Sequence, residues 1–312
     1  MIARLKKLYP WLYILPALML LLVFKIIPII LSFGVSFFRW DMAGPSKFIF
    51  FSNYQSVLTD QIFWQSAMNT LYYAIGAVPL SMAFSLFFAI LLNSISRAKT
   101  LFRTIYYLPV VTSIVAVSVV WKWVYHPTGG LINGILSLIG IQGPNWLQEW
   151  RGIGEVLTGW ELPYAVQGPS VALICLIILS VWKSLGYNTL IFLAGLQGIP
   201  QEYYEAAQID GAGVWQRFRH ITWPMLSPTT FYVFLMSTII SFQVFAPVWL
   251  MTGPPAGGPL GTTNVIVYYL YEKAFKFFHY GAASATAFIL FVILLVLTVI
   301  QRKYTERRVF YG

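Results

Sequence analysis

Six long apolar stretches, at roughly residues 10–37, 68–92, 104–124, 169–195, 229–251 and 282–301, leave this sequence few ways to fold. Crossing the hydrocarbon core of a bilayer as a helix takes about 20 consecutive apolar residues. In lipid every backbone N–H and C=O needs an internal partner, so six such runs read as six transmembrane helices and an all-α membrane protein. Charged residues make up 10% of the chain, against roughly 25% in soluble domains, and the mean hydropathy is +0.72. The first run is too long for the core of a signal peptide and lacks an A-x-A cleavage pattern, so it reads as a retained anchor. Pro16, Pro28, Pro79, Pro109 and Pro247 lie in or near the runs and predict kinks, tolerable where neighbouring groups satisfy the freed carbonyls. The whole chain, 1–312, reads as one transmembrane domain.

Orientation follows from the Lys and Arg residues that flank the runs. Twelve of them, in the clusters at 4–7, 97–103, 217–219 and 302–308, fall on one side; Arg39, Lys47, Arg151, Lys273 and Lys276 fall on the other. The richer side is expected to be cytoplasmic, which puts both termini inside, residues 196–228 in a cytoplasmic loop and 125–168 in a long external one. The net charge of +10 sits mainly in these short flanks, a membrane pattern, so no nucleic-acid partner is expected. Residues 131–139 predict a short interfacial helix, and 252–267 a turn-rich loop. Cys175, the single cysteine, lies in an apolar run and reads as a small buried hydrophobe.

All ten carboxylates lie outside the six runs. An ion-coupled secondary carrier usually needs an ionisable group or a broken helix at mid-membrane, most often with Asp or Glu, so this class is disfavoured. Lys25, Lys122 and Lys183 are the charges within or at the ends of runs. Lys122 can snorkel to the outer surface; Lys25 and Lys183 either line a polar pathway or simply snorkel and pair. His126, His220 and His279 show no metal-ligand spacing, and the sequence contains no H-E-x-x-H, G-x-S-x-G or G-x-x-x-x-G-K-[ST] pattern. An intramembrane enzyme is therefore also disfavoured. The chain is not expected to hydrolyse ATP, and uphill transport would draw its energy from a partner.

Residues 200–213, PQEYYEAAQIDGAG, stand apart, because Glu202, Glu205 and Asp210 gather there between two apolar runs. Pro200 suits a first helical turn, and Gln201, Glu202 and Glu205 place acceptors and negative charge near its positive end. Ala206 and Ala207 favour helix and let another surface come close; Gly211 and Gly213 stop the helix. The following VWQRFRHITWP spaces Trp215, Phe218, Ile221 and Thr222 at helical intervals, with Pro224 expected to end it. Such a helix, elbow and second helix can fill a groove on a cytoplasmic protein. They can equally form a tight connection with a solvated acidic face.

With Phe218, Ile221 and Pro224 following, the series Glu205, Ala206, Ala207, Asp210, Gly211, Ala212 resembles the EAA loop of permease subunits in bacterial binding-protein-dependent ABC importers. HPTGGLINGIL (126–136), GPNWL (143–147), SVWKSLGYNTLIFLAGLQGIPQEYYEAAQIDGAG (180–213) and TGPPAGGP (252–259) resemble carbohydrate permeases of the MalF/UgpA-like group, so the likeness covers nearly the whole chain. The resemblance implies the type I importer permease fold in the bacterial plasma (inner) membrane, with no catalysis and no cofactor in this chain. It implies as partners a second, homologous permease subunit, two ATP-binding subunits that hold ATP and Mg, a soluble extracytoplasmic solute-binding protein, and the lipid bilayer. In this family the EAA helix couples to a cleft of the ATPase. Glu205 would be its acidic contact, Ala206 and Ala207 its close-approach face and Gly211 its elbow, with Asp210 in the same ATPase-coupling set. Closing and opening of the ATPase dimer would then rock the bundle between inward- and outward-facing states. Two departures stand out: Trp223 replaces a frequent Leu, and residues 148–168 exceed the usual link where a soluble receptor would dock.

The helices on either side of the EAA loop supply the pathway in such permeases. Before it, Ser180, Lys183, Ser184 and Tyr187 recur at three- and four-residue steps and share a face, with Asn188 beside them; after it, Ser237 and Ser241 share a face, with Gln243 nearby. Hydroxyls and amides opposite aromatic rings suit a polyhydroxylated solute. The same groups also commonly bond helix to helix. A neutral sugar or sugar-like polyol is the expected solute. Glycerol-3-phosphate or a similar phosphorylated polyol is the alternative, although no arginine fork suited to phosphate lies in an apolar run.

Overall fold

The computed structural model describes residues 13–94, 99–160, 168–253 and 257–305, with side chains throughout except at 99–103, 157 and 305. Of the basic flanks, Arg4, Lys6, Lys7, Arg97, Arg307 and Arg308 lie outside the described residues. In chain order the elements are α1 (Tyr13–Val35), β1 (Phe38–Asp41), β2 (Gly44–Phe48), α2 (Ser52–Leu58), α3 (Gln61–Ser94), α4 (Lys99–Val111), α5 (Ile114–Val124), α6 (Leu131–Leu138) and α7 (Ile153–Thr158). After them come α8 (Val171–Gln197), α9 (Gln201–Ile209), α10 (Val214–Met225), α11 (Ser227–Phe242), α12 (Ala246–Met251), α13 (Ile266–Tyr271) and α14 (Tyr280–Thr305). Helices α1, α3, α8 and α14 are each long and apolar enough to cross a bilayer, and the bent pairs α4–α5 and α10–α11 bring the number to six if each is one span. Helix α6 forms where the short interfacial helix is expected, and none of its residues is buried.

The proline expectations divide. Helix α3 continues through Pro79 without a break. Pro28 and Pro224 each follow a widened π-turn, Leu22–Ile26 and Phe218–Thr222, which takes up the missing N–H; α10 therefore runs on through Pro224 to Met225 instead of ending there. The run at 104–124 is not one helix, because α4 and α5 meet at 103° around Thr112 and Ser113. The run at 229–251 is interrupted too. Pro247 has no N–H to continue a ladder past Gln243, so the helix restarts as α12 with the proline in its first turn.

The chain divides into two compact units. One holds the residues up to Asp60 together with Leu270–Phe291. Here β1 and β2 form an antiparallel hairpin whose turn is closed by Asp41 Oδ1 accepting the Ala43 N–H at 3.0 Å, with Gly44 at φ +100°. Asn53 Nδ2 clamps the hairpin base by donating to Ser36 O (2.8 Å) and Phe38 O (2.9 Å). A Cβ on Gly281 would strike Phe38 O and Asn53 Nδ2, so only glycine lets α14 start there. Lys273 pairs with Asp60 at 3.0 Å.

The second unit holds Gln61–Tyr269 and the residues from Val292 on. Its centre is the pairing of α3 with α8, where Ala89, Leu92, Phe192, Leu193 and Leu196 form a buried cluster with Leu226 and Val233. Lipid is as apolar as these side chains, so close packing and interhelical hydrogen bonds hold such helices together rather than escape from water. Ser85 Oγ donates to Leu185 O (3.4 Å) and Thr189 Oγ1 donates to Ser85 O (3.3 Å), bonding α3 to α8. The two loop motifs at 126–136 and 143–147 meet at Asn133. Its amide donates to Pro127 O (2.9 Å) and Pro144 O (3.3 Å), and its carbonyl accepts the Trp146 indole N–H at 2.7 Å. The Lys122 ammonium donates to Gly253 O (3.0 Å) and Leu250 O (3.4 Å), carbonyls at the open C-terminal end of α12.

Candidate functional site

A cavity of about 520 Å³ opens among α3, α5, α8, α11 and α12, within the roughly 300–1,000 Å³ of small-molecule sites. All eight residues proposed from sequence for a pathway line it: Ser180, Lys183, Ser184, Tyr187 and Asn188 from α8, Ser237 and Ser241 from α11, and Gln243 just beyond. Asn188 Nδ2 donates to Ser237 Oγ at 3.4 Å, joining the two faces. Ser184 Oγ turns back to Val181 O at 3.1 Å. Hydroxyls bond helix to helix both away from the cavity lining, at Ser85 and Thr189, and within it, at Ser237 and Ser180. Lys25 is exposed on α1.

Lys183 has a second task. The 103° break between α4 and α5 leaves the last carbonyls of α4 without helical partners, at the negative end of its dipole. The Lys183 ammonium donates to the carbonyls of Pro109, Val110 and Thr112, supplying that end with charge and donors. One turn on, Gly186 lets α8 lie against the α4 backbone, since a Cβ there would meet Tyr106 O and Val110 Cγ2. The charge in this apolar wall is thus committed to a broken helix while its stem borders the cavity.

At the end of α8, Gly198, Ile199 and Pro200 turn the chain into α9. None of the residues of α9 is buried; Glu205, Ala206, Asp210 and Gly211 are exposed, and Ala207 is half-buried. The helix closes as its sequence predicts: Gly211 at φ +78° carries the Gly211 N–H to Gln208 O (3.0 Å) and the Ala212 N–H to Ala207 O (2.8 Å). Pro200 precedes the first turn rather than entering it. Gln216 Oε1 accepts the Gly213 N–H at 2.8 Å and starts α10. The Tyr204 hydroxyl and Thr222 Oγ1, 2.9 Å apart, pin α9 to α10. Beside the acidic helix stand exposed Ile209, Val214 and Trp215, an apolar rim at the elbow.

Residues 81–311 match the family model described as "Binding-protein-dependent transport system inner membrane component". The chain belongs to this family. It is therefore a membrane-embedded permease component of such a transport system, located in the inner membrane. Among curated relatives, the probable ABC transporter permease protein YesP of Bacillus subtilis strain 168 is 36% identical over 96% of this chain and 91% of its own length. The trehalose/maltose transport system permease protein MalF of Thermococcus litoralis is 34% identical over 94% of this chain and 92% of its own. The sn-glycerol-3-phosphate permease protein UgpA of Agrobacterium fabrum is 30% identical over 98% and 97%. The fold matches that of a chain in the crystal structure of a bacterial ABC transporter involved in import of the acidic polysaccharide alginate, with TM-score 0.80, 24% identity and 98% of both chains covered.

Sequence reasoning missed the part of this permease's cavity built from α3, where Tyr73, Ala77 and Ser81 supply a wall. Tyr73 also hydrogen-bonds the Ser180 side chain. The signal was present as three less lipid-like residues at four-residue steps in an apolar run. Phe245 and Pro247, which complete the aromatic and apolar lining, sit where the expected helix breaks and so carried no periodic signal.

Proposed function

We propose that this permease forms half of an ATP-driven import pathway for a neutral sugar or sugar-like polyol, and that α9 is its contact with a cytoplasmic ATPase. The observation that carries the reading is the cavity, lined by eight polar residues from α8, α11 and the turn after it, on the same helix α8 that leads into the exposed acidic α9. The full assembly would hold a second, homologous permease, two ATP-binding subunits that carry ATP and Mg, and a soluble solute-binding protein outside. Support for the last comes from a related alginate transporter solved with its alginate-pentasaccharide-bound periplasmic protein. Both termini would face the cytoplasm, as the Lys and Arg asymmetry indicates. The chain, acting as one permease domain, would supply the path and leave ATP hydrolysis to its partner.

A phosphorylated polyol is the second reading, because the UgpA relative is named for sn-glycerol-3-phosphate. Against it, the Lys183 ammonium is already engaged by three carbonyls and offers no uncommitted charge for phosphate. The test is purification of the tagged protein from its native membranes, followed by uptake of a sugar and polyol panel that includes glycerol-3-phosphate. An ATPase and a second permease should co-purify and be lost with Glu205→Lys, and uptake should collapse while the helical bundle stays folded. A chain that purifies alone, transports with an ion gradient and ignores Glu205→Lys would refute the reading.

A further inference from the structure

We propose that the β1–β2 hairpin at the end of α1 binds the phosphate headgroup of an anionic phospholipid. The hairpin begins three residues after a membrane helix ends, so it stands at the level of the lipid headgroups whichever way the chain is oriented. In its register Arg39 faces Lys47 directly across the strands. Two like charges so placed repel one another, and an anion between them removes that cost. Both side chains are exposed.

The unit's own carboxylates are committed elsewhere. Asp41 accepts the Ala43 N–H within the turn, Asp60 is held by Lys273 at 3.0 Å, and Glu272 by Lys276 at 2.8 Å. Among the described residues, Arg39 and Lys47 form no ion pair within 4.0 Å.

The rings on the opposite face of the hairpin from the two cations say what carries the anion. Phe38 pairs with Phe48, and Phe48 packs on Phe50 with ring centroids 4.5 Å apart. Phe50 is held in a left-handed backbone conformation (φ +49°), rare for a bulky residue, and its side chain is turned outward, 66% exposed. Phe51 beside it is 67% exposed. A hairpin with exposed phenylalanines on one face and a basic pair on the other is amphipathic, which suits the boundary where acyl chains meet phosphates better than a free anion in water.

The test uses the full-length protein, stripped of lipid in detergent and titrated by native mass spectrometry with phosphatidylglycerol, phosphatidylcholine or inorganic phosphate. Phosphatidylglycerol should bind with a preference over phosphatidylcholine of about thirty-fold at low salt, the sum expected from two basic residues near a charged headgroup. The Arg39→Gln/Lys47→Gln double variant should lose that preference while eluting as the native protein does. Phe50→Ser should weaken both lipids alike and keep the preference, a separation that a merely misfolded hairpin would not give. Equal binding of the two lipids by the native chain overturns the proposal, as does a preference that survives the double variant. Inorganic phosphate displacing phosphatidylglycerol at equal concentration would mean a free-anion site.

Discussion

Replacing Lys183 with Met keeps the length and stem of the side chain but removes every donor from the break between α4 and α5. Three carbonyls, of Pro109, Val110 and Thr112, then lose the ammonium. A hydrogen bond to a charged group contributes about 1.5–3 kcal/mol, and a polar group left bare costs a similar amount. Lys183 is only partly buried, so cavity water recovers some of this. The net penalty on the bent conformation comes to on the order of 3 kcal/mol, which shifts its population against alternatives by a factor of roughly 100. Spin labels at Ile105 on α4 and Val119 on α5, both exposed, report the bend, and the buried Cys175 will not take label. The native chain should give one narrow distance. Lys183→Met should give a broad or doubled distribution with reduced uptake, and Lys183→Arg, which keeps charge and donors, should restore most of both. A narrow, unshifted distance in Lys183→Met would show that packing alone sets the break and would refute the reasoning.

Gly186→Ala should destabilise by about 1–3 kcal/mol, because the new Cβ meets backbone of α4, while Gly76→Ala, which meets only the Ile177 side chain at 2.8 Å, should lower the thermal midpoint in detergent far less; the reverse order would contradict the packing. Gly211→Val should cost about 1–2 kcal/mol at the α9 terminus, where φ is +78°, and should cut uptake sharply, whereas Gly211→Asn should keep most of it. Tyr204→Phe removes the bond to Thr222 and should loosen α9 by about 1 kcal/mol, read as faster amide exchange over residues 201–209 with no change at α8.

The spans were legible because hydropathy over about 20 residues is dictated by bilayer thickness and survives any local detail. Helix α9 was legible for a different reason: proline before it and glycine after it mark its ends, and the observed Gly211 turn is the one such a glycine makes. The α8 stripe could be read because polar residues at three- and four-residue steps in an apolar helix share one face. The breaks were legible only in part: Pro247 marks the one after α11, whereas α4 runs on past Pro109 before its sharp bend into α5. Thr112 and Ser113 carry no strong helix-stopping signal, and Pro79 shows that a proline in an apolar run does not itself decide the matter. What decides is whether something across the fold can satisfy the freed carbonyls. At α4 that partner is Lys183, 71 residues beyond Thr112, a distance no local pattern spans.

This double use of Lys183 bears on how a push at α9 would reach the solute. Helix α8 is 27 residues long, about 40 Å at 1.5 Å per residue. Its last turn is locked into the cluster of Leu196, Ile199 and Leu226 next to α9, and its middle carries the cavity stripe from Ser180 to Asn188. A displacement of α9 cannot be absorbed at that corner, because Ile199 is buried and Tyr204 is bonded to Thr222. It passes into α10 through that bond and, through the buried corner, along α8. There it meets two contacts with α4, Gly186 on the Tyr106 backbone and Lys183 on the broken end, so α8 cannot move the cavity wall without dragging or releasing that break. If α9 is the seat of the ATPase, the α4–α5 break is the element that has to change when the pathway changes sides. Labels at Ile105 and Val119 would then shift between nucleotide-free and ATP-bound complexes in the native chain. They would stay fixed in Glu205→Lys, in which the push is never delivered.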